Sequence, residues 1–155
     1  MVFLYKLILL IVLIYVFSTS YARPYNRDNF NYHSYKAYSA IGFYTEINCA
    51  AVDIDHIVSF RDAYDSGASD WSDFKKTIFA NDRKNHVPAC EYMRNLKADL
   101  TPAKFLQKGL EEQGEGFKII PMCEYVSRYH DIKTKYSLSF GNNNKLTFAD
   151  CGLAI

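Results

Sequence analysis

The sequence predicts a small, disulfide-containing, secreted domain of the α+β class, and three observations predict it. Residues 52–58, Val-Asp-Ile-Asp-His-Ile-Val, form a short β-branched run of the kind that builds a strand. Apolar residues recur at helical spacing at Trp71, Phe74 and Ile78, and again at Val126, Tyr129, Ile132 and Tyr136. Four cysteines follow an apolar leader, which is the pattern of a chain that folds in an oxidising compartment.

The leader comes first. Lys6 supplies a positive start, residues 7–17 are an unbroken apolar run, and Ser20-Tyr21-Ala22 offers small residues at the −3 and −1 positions of a cleavage site. Residues 1–22 are therefore expected to be a signal peptide, because the apolar run is short for a membrane span. The protein is expected to be extracellular, with no membrane attachment after cleavage. Residues 23–40 are rich in Tyr, Asn, Ser and Arg without a period, and are expected to be an extended, loosely ordered arm. Residues 41–155 make the domain.

Within the domain, 41–48 alternate as a strand does, and 53–60 form the next strand or strand end. Residues 66–69 are a loop, and Ser69 or Asp70 caps a helix running to Asn81-Asp82. On that stretch Trp71, Phe74 and Phe79 are expected in the core. His86 to Cys90 reads as a short strand confined to an edge by Pro88. A helix is expected over 92–98. Another opens at Thr101-Pro102 and closes near Gln107, because proline suits the first helical position. Residues 109–116 read as a Gly-containing loop, 124–136 as a helix, and 146–155 as a strand held by Cys151. The cysteines allow three pairings. The working expectation joins Cys123 to Cys151, which flank the last predicted helix and its tail, and Cys49 to Cys90.

Charge narrows the function. The chain carries 18 Lys and Arg against 17 Asp and Glu. Loss of Lys6 with the leader leaves the mature chain neutral, which argues against bulk electrostatic binding of nucleic acid but leaves room for a local basic face. Lys75-Lys76, Arg83-Lys84 and Lys104 with Lys108 read first as solvated surface and second as a phosphate track. Most of the 13 tyrosines read as packing. His33, His86 and His130 read as surface or packing histidines, and Asp53 as a solvated or loop-bonding residue.

The chemistry concentrates at Asp55-His56. A strand has no packing reason to carry Asp-x-Asp-His, whereas a carboxylate and an imidazole together hold a metal ion and take a proton from water. Asn85, Asn95, Lys97 and Asp99 add polar groups downstream.

This series resembles the HNH (His-Me finger, ββα-metal) endonucleases. It is most similar to the C-terminal nuclease domain of GmrSD-type restriction enzymes and their secreted relatives. The resemblance rests on an ordered set of motifs over about residues 43–140: Asp55-His56, Asp65-Ser66-Gly67-Ala68, Trp71, Phe-Ala-Asn-Asp at 79–82, Asn85, Lys97-x-Asp99, Pro102 with Phe105, and a Tyr-rich final helix before Lys135-Tyr136-x-Leu138. It implies a ββα-metal core with added helices. It also implies cleavage of phosphodiester bonds in nucleic acid, with DNA expected before RNA. His56 would be the general base, Asp55 a ligand of Mg²⁺ or Mn²⁺, and Asn85 the residue that positions His56. Asn95 would be the second metal ligand, and Lys97 and Asp99 would contact phosphate or support the site.

One departure is visible. The family's second ligand stands three residues before the lysine of Lys-x-Asp, and that position here is Arg94, with Asn95 one residue later. One residue is about 100° of helical rotation, which selects another face. An arginine has no lone pair for a cation and would instead clamp a phosphate. The sequence therefore carries two further readings. One is a catalytically inactive secreted module that binds nucleic acid or protein on the same scaffold. The other, less favoured, is a secreted toxin with a protein target.

Overall fold

The structure is a computed structural model that describes residues 24–155; the expected signal peptide lies outside the described residues. Among the described residues the fold is mixed α+β, with a two-stranded sheet, six helices and two disulfides. Strands β1 (Val52–His56) and β2 (His86–Cys90) pair antiparallel, in a register that sets Asp55 opposite Val87 and His56 opposite His86. Between them run α1 (Phe60–Asp65) and α2 (Asp73–Ala80), separated by one short 3₁₀ turn (Ala68–Asp70) and followed by another (Arg83–Asn85). After β2 come α3 (Glu91–Lys97), α4 (Pro102–Gln113), α5 (Met122–Lys135) and α6 (Lys145–Ala149). No helix among the described residues is long and apolar enough to cross a membrane.

Local chemistry explains the helix starts. Strand β1 ends at His56, and the Ser59 hydroxyl accepts the Asp62 N–H at 3.0 Å to cap α1. Ser72 caps α2 by accepting from the Lys75 N–H, so the cap falls a few residues after the predicted Ser69 or Asp70. Pro102 sits in the first turn of α4 as its fixed φ favours.

One core holds the elements together. Phe79, Phe105, Tyr125, Val126, Tyr129 and Ile132 are fully or almost fully buried. A polar tie fixes α1 to α5. The Asp62 carboxylate accepts from the Tyr129 hydroxyl at 2.6 Å and from the Lys133 ammonium at 3.0 Å, and Lys133 also reaches the Ser66 hydroxyl and the Ser139 carbonyl. Burial pushes Lys133 down from the usual lysine range, while Asp62 opposes that shift. The disulfides are Cys49–Cys90, which pins the segment before β1 to the end of β2, and Cys123–Cys151, which pins α5 to the C-terminal tail. Gly42 is required by the first of these, since a Cβ there would meet both sulfurs within 2.8 Å.

Several elements differ from expectation for physical reasons. Residues 41–48 form a turn closed by a single bridge, Ile41 to Asn48, rather than a strand. Helix α4 runs on through Gly109 to Gln113, and a glycine is needed at 109 because the Phe117 ring packs where a Cβ would stand, at 2.0 Å. The tail folds as α6, capped by Asn144, in place of a strand. On α2, Phe74 and Ile78 are exposed, and the helix buries Phe79, Ala80 and the stem of Lys76. The N-terminal arm is part of the core. Its 3₁₀ turn Arg27–Phe30 inserts a fully buried Phe30 that stacks on Phe60 with ring centroids 4.8 Å apart. The arm is fastened by Asn81, whose side chain accepts from the His33 N–H and donates to the Asn31 carbonyl.

Candidate functional site

Alternation along β1 divides the predicted site between two faces of the strand. Ile54 and His56 face a cleft of about 430 Å³, also lined by Arg27, Ser59, Phe60, Arg94, Asn95, Ala98 and Asp99. Asp55 is not on its wall. Its Oδ2 accepts the Tyr44 hydroxyl at 2.7 Å and pairs with the Lys97 ammonium at 3.0 Å. Lys97 is fully buried and also donates to the His56 carbonyl at 2.8 Å. The ammonium thus sits inside the protein, tying α3 to the back of β1. Burial, followed by the charge of Asp55, raises Tyr44 well above the usual phenol range, so it keeps its proton and donates it to the carboxylate.

On the cleft side, His56 is fixed by a carbonyl. Its Nε2 lies 2.8 Å from the Ala80 oxygen at the end of α2. His86, directly across the strand pair, puts its own Nε2 on the same oxygen at 2.9 Å. A carbonyl only accepts, so each neutral ring carries its proton on Nε2 and presents a lone pair at Nδ1. Tyr32 from the arm packs edge-on against both imidazoles, and Phe60 against His56. Burial, against the Ala80 hydrogen bond, lowers His56 to about 3, and burial also lowers His86. His56 is therefore neutral at pH 7.

Asn85 holds the chain that leaves β1. Its amide oxygen accepts the Val58 N–H at 2.8 Å, and its amide nitrogen donates to the Val58 carbonyl at 3.0 Å. Its own carbonyl accepts the Ile57 N–H. This side chain is wholly buried and closes the turn between His56 and the Ser59 cap.

Helix α3 supplies the facing wall. Arg94 donates from Nη1 to Asp53 at 2.9 Å, while its Nε is buried without a hydrogen-bond partner. Asn95 is exposed at the cleft and Asp99 lies beyond the end of α3. The described chain thus brings His56, Arg94, Asn95 and Asp99 to one cleft, and leaves Asp55, Asn85 and Lys97 behind it.

The cleft residues do not suit a divalent cation. Mg²⁺ takes several hard oxygen ligands at short range. The Asp55 carboxylate faces away, against an ammonium, and the cleft itself carries two guanidinium groups. Among the described residues, no three His, Cys, Asp or Glu side chains gather as a ligand set.

Arg27, Ser59, His86, Tyr32 and Tyr44 are parts of the site that sequence reasoning missed. Ser59 was findable, because Ser59-Phe60-Arg61-Asp62 is a capping signature directly after the strand. Arg27 and Tyr32 lie in a segment without a period, Tyr44 in one that alternates as a strand but folds as a turn, and only the tertiary fold brings them to His56 and Asp55. Comparison with protein-family models, with curated proteins and with solved structures gives no match.

Proposed function

We propose that this chain is a secreted nuclease of the HNH type that cleaves phosphodiester bonds of nucleic acid at the cleft beside His56. The observation that carries the reading is the state of that histidine. Its ring is held by the Ala80 carbonyl, neutral, with Nδ1 left as the acceptor, in a cleft flanked by Arg27 and Arg94. The order β1, β2, α3, with His56 at the end of the first strand and Asn85 bracing the turn after it, supports the ββα reading. In this role His56 takes the proton of the hydroxyl that attacks phosphorus, and the guanidinium groups offset the phosphate charge. The low pKa makes His56 a weak base, so turnover is expected to be modest.

A catalytically inactive binding module on the same scaffold is the second reading. Two ion pairs favour it: Asp55 with Lys97 and Arg94 with Asp53, each occupying a residue that the resemblance assigns to the site. Digestion of plasmid DNA and of RNA, in EDTA and in Mg²⁺ or Mn²⁺, separates the two. Cleavage that His56→Ala abolishes supports the nuclease. Intact substrates under all three conditions, with wild-type protein that still retains an oligonucleotide, support the binding module.

A further inference from the structure

We infer that the N-terminal arm and the turn before β2 form a binding surface for single-stranded nucleic acid, where an unpaired base stacks on Tyr38 and the neighbouring phosphates meet Arg83 and Lys36. The inference rests on the nucleic-acid reading above, which it deepens by naming the form of the strand and where it lies. It is read by binding, apart from cleavage.

The first observation is which basic pairs the fold leaves available. Of the three pairs that the sequence offers as a phosphate track, two are largely spent. Lys76 is buried at 3.9 Å from Asp73, Lys75 lies over the Trp71 ring, and Lys108 pairs with Glu112. Arg83 and Lys84 are exposed on the turn Arg83–Asn85, and among the described residues neither is in an ion pair. Lys84 borders a cleft with Arg128, Lys135 and Asp131, where Glu124 and Asp82 pair with the other two cations, so positive charge is offset there. Arg83 borders a different cavity.

That cavity is the second observation. It measures about 290 Å³ and is lined by Tyr35, Lys36, Tyr38, Ile54, Arg83 and His86. Its walls thus carry two cations and no carboxylate. The acids that adjoin it in the chain are engaged elsewhere: Asp53, beside Ile54, pairs with Arg94, and Asp82, beside Arg83, accepts from Lys135 and Tyr136. Lys36 is exposed and, like Arg83, is in no ion pair among the described residues.

The third is the aromatic wall. The Arg83 guanidinium lies over the Tyr35 ring at 5.3 Å from the centroid. Stacking holds a guanidinium by its face and leaves the N–H groups at its edges for a phosphate. Tyr38 is 71% exposed, so a ring on the cavity wall is open to a partner. A flat ring beside fixed cations is the arrangement that holds single strands, because every nucleotide brings a base face and a charge. In a duplex the base faces are hidden in the stack. A sulfated glycan brings charge without a flat face and would use the cations but not Tyr38. Ile54 also lines the His56 cleft, so a strand seated here lies next to the proposed cleavage site.

The test is fluorescence anisotropy of the full chain in EDTA, with labelled oligothymidylate, its duplex with oligoadenylate, and heparin as competitor. The single strand is expected to bind at least about tenfold more tightly than the duplex, and Tyr38→Ala to weaken it about tenfold while Tyr38→Trp does not. Arg83→Ala is expected to weaken binding and to lower the slope of log affinity against log salt by about 1. Lys104→Ala removes the same charge from an exposed position on α4 and is expected to leave affinity within about twofold. Tyr38 and Arg83 are exposed, so these variants keep the fold. Equal affinity for strand and duplex, or unchanged binding in both Tyr38→Ala and Arg83→Ala, would overturn the inference, and His56-dependent cleavage in the same preparation would leave the nuclease reading standing. Binding with the expected losses but no cleavage under any metal condition would support the inference and remove the nuclease reading. Heparin that binds more tightly than the strand, and equally to Tyr38→Ala, would assign the cations to a sulfated glycan and overturn it, as would a failure to bind any strand.

Discussion

Lys97 shows how one side chain decides what the strand end can do. Its ammonium is fully buried and bridges the Asp55 carboxylate and the His56 carbonyl, so it fixes the back of β1 while His56 is presented in front. A buried pair of this kind gains little over apolar packing, but removing one partner is costly, because the other charge is left uncompensated. Lys97→Met is therefore expected to destabilise the fold by about 3–5 kcal/mol, read as a shift in the urea midpoint. A loss under about 1 kcal/mol would mean that Asp55 finds compensation elsewhere. The sequence singles out Asp55, His56, Asn85 and Lys97 as site residues, and all four are buried polar groups. It did not assign their sides, because which face of β1 meets the cleft is set by the packing of α3 and Tyr44. Alternation alone required Asp55 and His56 to part, and the strand is regular enough to obey it.

At the scale of elements, the strands and the long helix were legible because each carries its own periodic signal. The runs 52–58 and 86–90 are short and apolar or β-branched at most positions, and α5 has an apolar stripe that meets the core. The α2 stripe misled, because Phe74 and Ile78 share a face that nothing in the described chain covers, while Phe79 one residue further points inward. The tail, expected as a strand held by Cys151, is helical over Lys145–Ala149 because Asn144 caps it. The arm was the largest omission. It has no period, yet Phe30 fills the space beside Phe60 and Phe79, and Tyr32 packs on the two imidazoles. Phe30→Ala is expected to cost about 3–5 kcal/mol, the range for emptying a buried aromatic site. Thermal denaturation checks it, and an unchanged midpoint would show that the arm is dispensable.

The whole molecule combines a modest core with two disulfides and two buried polar ties, Asp55 with Lys97 and Asp62 with Lys133. Its acid sensitivity follows from the histidine pair. Burial holds His56 at about 3 in the folded chain against 6.5 for the free side chain, and it lowers His86 as well. Between those values the unfolded chain takes up a proton that the folded chain refuses. The stabilisation is therefore complete above about pH 6.5 and is lost as the pH falls toward 3. Each such group contributes about 1.4 kcal/mol per pH unit inside the window. Urea unfolding is expected to show His56 alone removing about 2 kcal/mol between pH 7.5 and 5.0, with a shallower slope in His56→Asn. A chain equally stable at both pH values would contradict burial of the imidazoles.

The same histidine carries the functional claim at the scale of the whole protein. With 18 Lys and Arg against 17 Asp and Glu, the chain has no bulk charge to hold nucleic acid, so the proposed activity rests on the local arrangement at the cleft. The most direct measurement is the initial rate of oligonucleotide cleavage by the wild-type chain beside His56→Ala, on one RNA and one DNA substrate. The account predicts measurable cleavage by the wild type and a loss of at least about a hundredfold in the variant, within the range that a general base contributes. Equal rates in the two proteins, or none in either, would contradict it.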